Sequence, residues 1–161
     1  MHKIINLLRE PAMSDIDVDS LDRLSIHRRI LKRKKLLQNV FRDFHHSFMK
    51  LNNKYFSGDG LKIELGSGIA PVRDTYPEVL ATDMVYTPML DQILDAQDMD
   101  VADNSVRAMF AQNCFHHFPD PKIFFSELNR VLKPGAGIIL IEPYYGPLAS
   151  FVFKNLFKTE G

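Results

Sequence analysis

The sequence predicts an α/β fold, with a mostly parallel sheet covered by helices on both sides. Three observations predict it. Short apolar runs recur after Gly60, helix- or turn-forming stretches separate them, and several end in an acid or a glycine. Strand–helix alternation of this kind belongs to parallel sheets, whose strands need crossovers that cover the faces.

Leu61-Lys62-Ile63-Glu64-Leu65 reads as the first strand, stopped by Gly66-Ser67-Gly68. Val79-Leu80-Ala81-Thr82-Asp83 is a second apolar run, and Gln92-Ile93-Leu94-Asp95 a weaker third. Val106-Arg107-Ala108-Met109-Phe110-Ala111-Gln112 is the fourth and Gly137-Ile138-Ile139-Leu140-Ile141-Glu142 the fifth. The clearest helix lies between these last two. Asp120 is a good N-cap and Pro121 suits the first helical turn, where its missing N–H costs nothing. Phe124, Phe125, Leu128, Val131 and Leu132 then share a face, and Lys133-Pro134-Gly135 stops the helix.

Residues 1–25 mix acids and apolar residues without a clean period, and two helix-period segments follow. In the second, Leu37, Val40, Phe41, Phe44, Phe48 and Leu51 form one apolar stripe. The turn cluster Ser57-Gly58-Asp59-Gly60 closes it. Residues 1–56 are therefore expected to form a helical extension, and residues 57–161 the α/β core.

Length and composition set the outer bounds. The 161 residues suit one domain, and a hydrophobic fraction of 45% supports a packed core. A formal net charge of zero gives no general attraction to nucleic acid. Cys114 is the single cysteine, so no internal disulfide forms, and a reducing, cytoplasmic setting is the expectation. Ile4-Ile5-Asn6-Leu7-Leu8 is too short for a signal peptide, and no run of about 20 apolar residues suggests a membrane span.

The chemistry concentrates at three strand ends. A strand that runs into Gly66-Ser67-Gly68 turns sharply and lets a ligand approach the backbone, because glycine lacks Cβ and accepts positive φ. The N–H groups of such a turn form a polar cradle. Read alone, the glycine pair is equally an ordinary tight turn. Asp83, followed by Met84, closes the second strand 17 positions after Gly66. It can accept from both hydroxyls of a ribose, or act as a turn former. Asp95 ends the third strand, where its carboxylate can accept from an adenine amine while Ala96 N–H donates to a ring nitrogen. Ligands of open α/β sheets bind outside these carboxyl ends. A cradle, a ribose acceptor and an adenine acceptor together describe a site for an adenosine-containing cofactor.

Four segments carry a family resemblance over residues 61–143. Glu64-Leu65-Gly66-Ser67-Gly68 resembles the first motif of class I S-adenosylmethionine-dependent methyltransferases. Asp95-Ala96-Gln97-Asp98-Met99, followed by Asp103-Asn104-Ser105, is similar to their segment after the third strand. Asn113-Cys114-Phe115-His116-His117-Phe118-Pro119-Asp120-Pro121 resembles their N-x-L-H-H-x-P-D-P segment, and Arg130-Val131-Leu132-Lys133-Pro134-Gly135 their R-V-L-K-P-G turn.

The resemblance implies a Rossmann-like sheet of order 3-2-1-4-5. It also implies S-adenosylmethionine as cofactor, S-adenosylhomocysteine as product and a small-molecule methyl acceptor, with no metal. Gly66, Ser67 and Gly68 would lie against the methionine part and Glu64 near its amino group. Asp83 would bind the ribose hydroxyls and Met84 would also contact the cofactor, Asp95 and Ala96 would serve the adenine, and Gln112 and Asn113 would offer carbonyls near the methionine amine. His116 is the candidate base, since histidine titrates near neutrality. The competing reading has one of His116 and His117 packed inside and the other at the surface, and Cys114 as a small buried filler.

Several positions depart from the family pattern. The usual third glycine is Ala70, followed by Pro71, which constrains the next helix start. The usual aromatic-Asp pair reads Val106-Arg107, and Asp100-Val101 replaces a proline and a phenylalanine. Complete folds of this family have seven strands, so the chain is expected to lack the last two and to leave its fifth strand as an exposed edge that invites self-association. A stretch from Pro147 to Phe157 reads as an amphipathic helix.

Two other readings stay open. A nicotinamide-dependent oxidoreductase also uses Gly-x-Gly and a following acid, but its fingerprint wants glycine at Pro71. A non-enzymatic interaction module would use the basic run Arg28-Arg29 and Lys32-Arg33-Lys34-Lys35 to dock a partner, though such a run is more often a solvated helix face.

Overall fold

The computed structural model describes residues 22–144, 146–147 and 149–150. In chain order it contains α1 (Asp22–Arg33), α2 (Lys35–Tyr55), β1 (Leu61–Leu65), β2 (Leu80–Asp83), β3 (Gln92–Ile93), β4 (Val106–Gln112), α3 (Pro121–Val131) and β5 (Leu132–Ile141). The five strands form one sheet in the order β3-β2-β1-β4-β5, and every neighbouring pair is parallel. This is the expected Rossmann-like order. Positions 147, 149 and 150 are helical, and the rest of the expected C-terminal helix lies outside the described residues. Of the segment expected to be irregular at residues 1–25, residues 1–21 also lie outside them, and residues 22–25 open α1 instead.

The central strands are buried on both faces, and their side chains divide between two layers at period two. Ile63, Leu65, Met109 and Ala111 pack with Phe124, Leu128 and Val131 of α3. Ala81, Ala108 and Phe110 pack with Phe48 and Met49 of α2 on the opposite face. Phe48 stacks on Phe110 with ring centroids 5.0 Å apart. Full burial of such a ring contributes about 2–3 kcal/mol. A register shift between Val106 and Ala108 turns Val106 toward the α3 layer.

The caps of α3 follow from its sequence. Asp120 adopts an extended conformation and its Oδ1 accepts from Lys122 N at 2.8 Å, with Pro121 in the first turn. Arg130 fixes this helix to the loop after β3. Its guanidinium donates to Glu127, to Asp103 Oδ1 at 2.6 Å and to the Met99 and Val101 carbonyls at 2.8 Å. Glu127 also accepts from Met99 N at 2.9 Å, and the Arg130 hydrogen bonds hold its carboxyl down to about 2.

Two expectations fail in instructive ways. The helix–strand alternation is incomplete: only the β4–β5 crossover holds an α-helix. The β1–β2 connection contains a 3-10 turn, Pro71–Asp74, and the β2–β3 connection contains no helix. Ala70 sits in the left-handed region at φ 50 and Pro71 opens the turn, so the chain cannot enter an ordinary α-helix at the usual place. α2 supplies the missing cover instead. Its buried face is also rotated from the predicted stripe, running through His45, Phe48, Met49 and Asn52 while Leu37 and Val40 remain exposed. The first half of α2 lies beside α1 rather than on the sheet, so apolar spacing alone misplaces the contact. Among the described residues no helix is long and apolar enough to cross a membrane.

Candidate active site

The site is built on the carboxyl ends of β1, β2 and β4. Gly66 and Gly68 take φ of 65° and 52°, a region that costs a side chain free energy, so these turns are shaped for glycine. A Cβ on Gly66 would stand 2.7 Å from Cys114 Cβ, whereas one on Gly68 would meet nothing within 4 Å. The first glycine therefore lets two chain segments approach each other, and the second keeps a surface clear for a ligand. Asp83 braces that surface. Its Oδ2 accepts from Gly68 N at 2.9 Å and its Oδ1 from Val85 N at 3.0 Å. A carboxylate has about four lone-pair sites, so both oxygens keep capacity for a ligand hydroxyl.

Ser67 faces inward. Its hydroxyl donates to Glu64 Oε2 at 2.6 Å and its N–H donates to the Thr82 carbonyl at 2.9 Å. Glu64 is 3% exposed, and burial pushes its carboxyl up to about 7 against the lowering effect of the Ser67 hydrogen bond. On the other side of the cradle, Asp95 Oδ1 accepts from Gln97 N at 2.8 Å, and Gln97 Nε2 donates to the Asp120 carbonyl at 2.8 Å. Ala96 is buried beside it.

Two cavities meet at Gly66. One, of about 260 Å³, is lined by Glu64, residues 66–69, Gln112 and Asn113 of the core, and by Leu24, His27 and Phe41 of α1 and α2. The other, of about 120 Å³, is lined by Met84, Asp95, Ala96, Cys114 and His117. A larger hollow of about 320 Å³ opens between α1, α2 and the 3-10 turn and shares Phe41 and Pro71 with the first. The structure thus gathers nine of the ten expected cofactor residues, all but Asp83, onto the walls of two cavities, and Asp83 binds the glycine loop between them. Glu64, Gln112 and Asn113 thus wall one side of the glycine turn, and Leu94, Asp95 and Ala96 wall the other.

Cys114 is 9% exposed. Burial, with Glu142, Asp83 and Glu64 nearby, pushes its thiol up to about 12, which suits an unreactive filler. His116 and His117 are both exposed, so neither is the buried histidine of the competing reading. They follow β4 in a short 3-10 turn with ring centroids 4.1 Å apart. His116 Nδ1 lies 2.6 Å from Glu142 Oε2, while Glu142 Oε1 accepts from Phe115 N at 2.9 Å and Cys114 N at 3.2 Å. These bonds outweigh desolvation and hold the Glu142 carboxyl below its usual range. Sequence reasoning missed Glu142 as a site residue, because its role depends on β5 pairing beside β4. It also missed His27, which lines the larger core cavity and whose imidazole is lowered by burial and by Arg23.

The fold is shared with known proteins. Residues 69–140 match a family model described as a methyltransferase domain. A candidate S-adenosyl-L-methionine-dependent methyltransferase of Methanococcus maripaludis superposes with a TM-score of 0.55 at 14% identity, covering 82% of this chain and 70% of that one. A candidate methyltransferase of Bacillus halodurans gives 0.49 at 23% identity, covering 69% and 56%. The phosphoethanolamine N-methyltransferase 2 of Haemonchus contortus, in complex with S-adenosyl-L-methionine, gives 0.45 at 14%, covering 70% and 32%. The chain spans about half the length of the second and a third of the last. Residues 69–140 thus match a methyltransferase domain, and the parallel sheet in the order β3-β2-β1-β4-β5 shares the Rossmann-like fold of the Methanococcus protein.

Proposed function

We propose that this chain binds S-adenosylmethionine across Gly66 and transfers its methyl group to a small-molecule acceptor. The observation that carries the reading is the pair of cavities meeting at a glycine cradle, one walled by Glu64, Gln112 and Asn113, the other by Asp95 and Ala96. The bound cofactor supplies an electrophilic methyl on a sulfonium. This chain's residues position the partners, and most of the rate gain comes from that positioning. Gly68 keeps the cradle clear, Ser67 holds Glu64 toward the amino group, Asp83 serves the ribose beside Met84, and Asp95 and Ala96 hold the adenine.

His116 is the proposed base. Glu142 fixes its Nδ1 and leaves Nε2 to take a proton from the acceptor, the orienter–base arrangement of general catalysis. A second base is favoured by one observation: His27 lines the same cavity as Glu64, and burial and Arg23 lower its imidazole, which favours the neutral form. Comparing His116→Ala with His27→Ala separates the two, because loss of a true base lowers kcat by about 10²–10⁴-fold with little change in cofactor affinity.

The cofactor reading is tested by calorimetric titration with S-adenosylhomocysteine, with NAD as control. Binding that disappears in Asp83→Ala, with no NAD signal, supports it. A folded chain that binds neither ligand overturns it. α1 and α2 close the cavity from outside the core, and we infer that residues 1–56 are an N-terminal extension to the core at residues 57–161.

A further inference from the structure

Beneath the cavity wall formed by Glu64 lies a second buried titratable group. His45 of α2 is 1% exposed, and its Nε2 stands 3.7 Å from Glu64 Oε1. Neither ring nitrogen has a hydrogen-bond partner. The ring lies between Phe41 and Phe48, with centroids 6.3 Å and 6.5 Å away. An imidazole buried among aromatic rings with two unpaired nitrogens is costly, and such a group in a native structure calls for a reason. The other oxygen of the same carboxyl is already satisfied by Ser67 Oγ at 2.6 Å. Oε1 and Nε2 are therefore left facing each other at slightly more than hydrogen-bond distance, directly behind the cavity.

We propose that His45 is a positioning residue that shares one buried proton with Glu64: the carboxyl holds it in the free protein, and a cationic amino group bound in the cavity expels it to solvent. The inference rests on the cofactor reading above, since it needs a cation to arrive against Glu64. The step balances as a proton transfer alone. The Glu64 O–H bond breaks as its proton passes to His45 Nε2, the His45 Nδ1–H bond breaks to release one proton to the buffer, and the incoming ammonium keeps its own protons and neutralises the new carboxylate. His45 is neutral in both end states. It faces the carboxyl with an unprotonated Nε2 in the free state, and as the Nε2–H tautomer it donates to Oε1 in the bound state.

The surroundings agree. Burial pushes Glu64 up to about 7 and His45 down to about 4, so both prefer to be neutral. His46, on the same helix, lowers His45 further, and Asp74 of the 3-10 turn opposes this. From α1, Arg28 binds Asp74 at 2.6 Å, and His27 faces the cavity. Cys114 keeps its proton, while Thr82 of β2 offers only its hydroxyl to the Glu64 backbone carbonyl. Gln112 and Asn113 bring no ionisable side chain. Burial and Arg23 both lower His27, which disfavours its cationic form, so the ligand's ammonium is the cation assigned to ionised Glu64.

The test is calorimetric titration of the full chain with S-adenosylhomocysteine between pH 5.5 and 8.5, in pairs of buffers of different ionisation enthalpy. The wild type is expected to release close to one proton per ligand at pH 6, fading above pH 7. Glu64→Gln, with no proton to lose, is expected to release none. His45→Phe fits the aromatic surroundings but removes the hydrogen bond to the carboxylate. It is expected to weaken binding about tenfold at pH 7 and to move the fading of proton release about one pH unit upward, the equivalent of one charge-assisted hydrogen bond. His45→Gln restores a donor and returns the profile toward wild type. Binding with no buffer-dependent enthalpy at pH 6 overturns the inference and leaves the cofactor reading standing. His45→Phe and His45→Gln variants with identical pH profiles overturn the role of His45. No binding by a folded chain at any pH overturns the cofactor reading and this inference with it.

Discussion

The two halves of the sheet solve the parallel-strand problem differently. In β4-α3-β5 the crossover is a capped α-helix whose Phe124, Leu128 and Val131 fill one layer. In β1-β2-β3 the connections are a 3-10 turn and a helix-free loop, and the cover comes from α2, earlier in the chain. The first half is locally determined. The second trades a local helix for open strand ends, and the glycine cradle, Asp83 and most of both cavity walls lie there. Regular packing and ligand room are thus divided between halves of one sheet, with Gly66 against Cys114 as the seam.

The regular half depends on its aromatic anchor. Phe124 is fully buried and touches Phe115, Phe118 and Phe125. Phe124→Ala is expected to cost about 3–5 kcal/mol of unfolding free energy, the sum of lost transfer and a residual cavity. Urea denaturation measures it. A loss below about 1 kcal/mol would mean that α3 is not the core layer of that half.

Much of this division can be read from particular residues, and some cannot. β1 and β4 are bounded by their own apolar runs, and the α3 cap is written in Asp120-Pro121, because those signals are local. The cradle is legible because Gly66 and Gly68 are needed for backbone reasons alone. The rotated face of α2 is not: Leu37 and Val40 have the right spacing, but the sheet reaches only the half of the helix that holds His45, Phe48, Met49 and Asn52. Nor are the pairings of Glu142 with His116 and of His45 with Glu64, which join residues 26 and 19 positions apart through tertiary contact.

A smaller effect probes the irregular half through its buried pair. Glu64 is raised, so the stability it contributes is present below its ordinary value near 4.5 and is lost as pH rises toward about 7. His45 is lowered, so its contribution is present above its ordinary 6.5 and is lost as pH falls toward about 4. In the free wild type the two trends oppose each other between pH 4.5 and 6.5 and largely cancel. Single variants expose them. Glu64→Gln is expected to lose stability as pH drops from 6.5 to 4, and His45→Gln to lose it as pH climbs from 4.5 to 7. Each change is of the order of 2–3 kcal/mol over its window. Urea midpoints at four pH values, compared between the two variants so that shared titrations drop out, measure the opposite slopes. Slopes of the same sign would show that the two groups do not titrate as a pair.

The smallest stability effect sits at the cradle itself, and it separates folding from binding. Gly68 has φ 52 and open space where a Cβ would stand. Gly68→Ala therefore meets no clash, and only the left-handed backbone opposes it, at about 1 kcal/mol. The added methyl projects into the space kept for the ligand. The variant is expected to unfold close to the wild type while S-adenosylhomocysteine affinity falls by about tenfold or more, since a buried methyl overlap costs a ligand about 1–3 kcal/mol. Equal affinity for Gly68→Ala and wild type would mean that the ligand does not cross this surface. It would move the site away from the irregular half, and the division between packing and ligand room would fail with it.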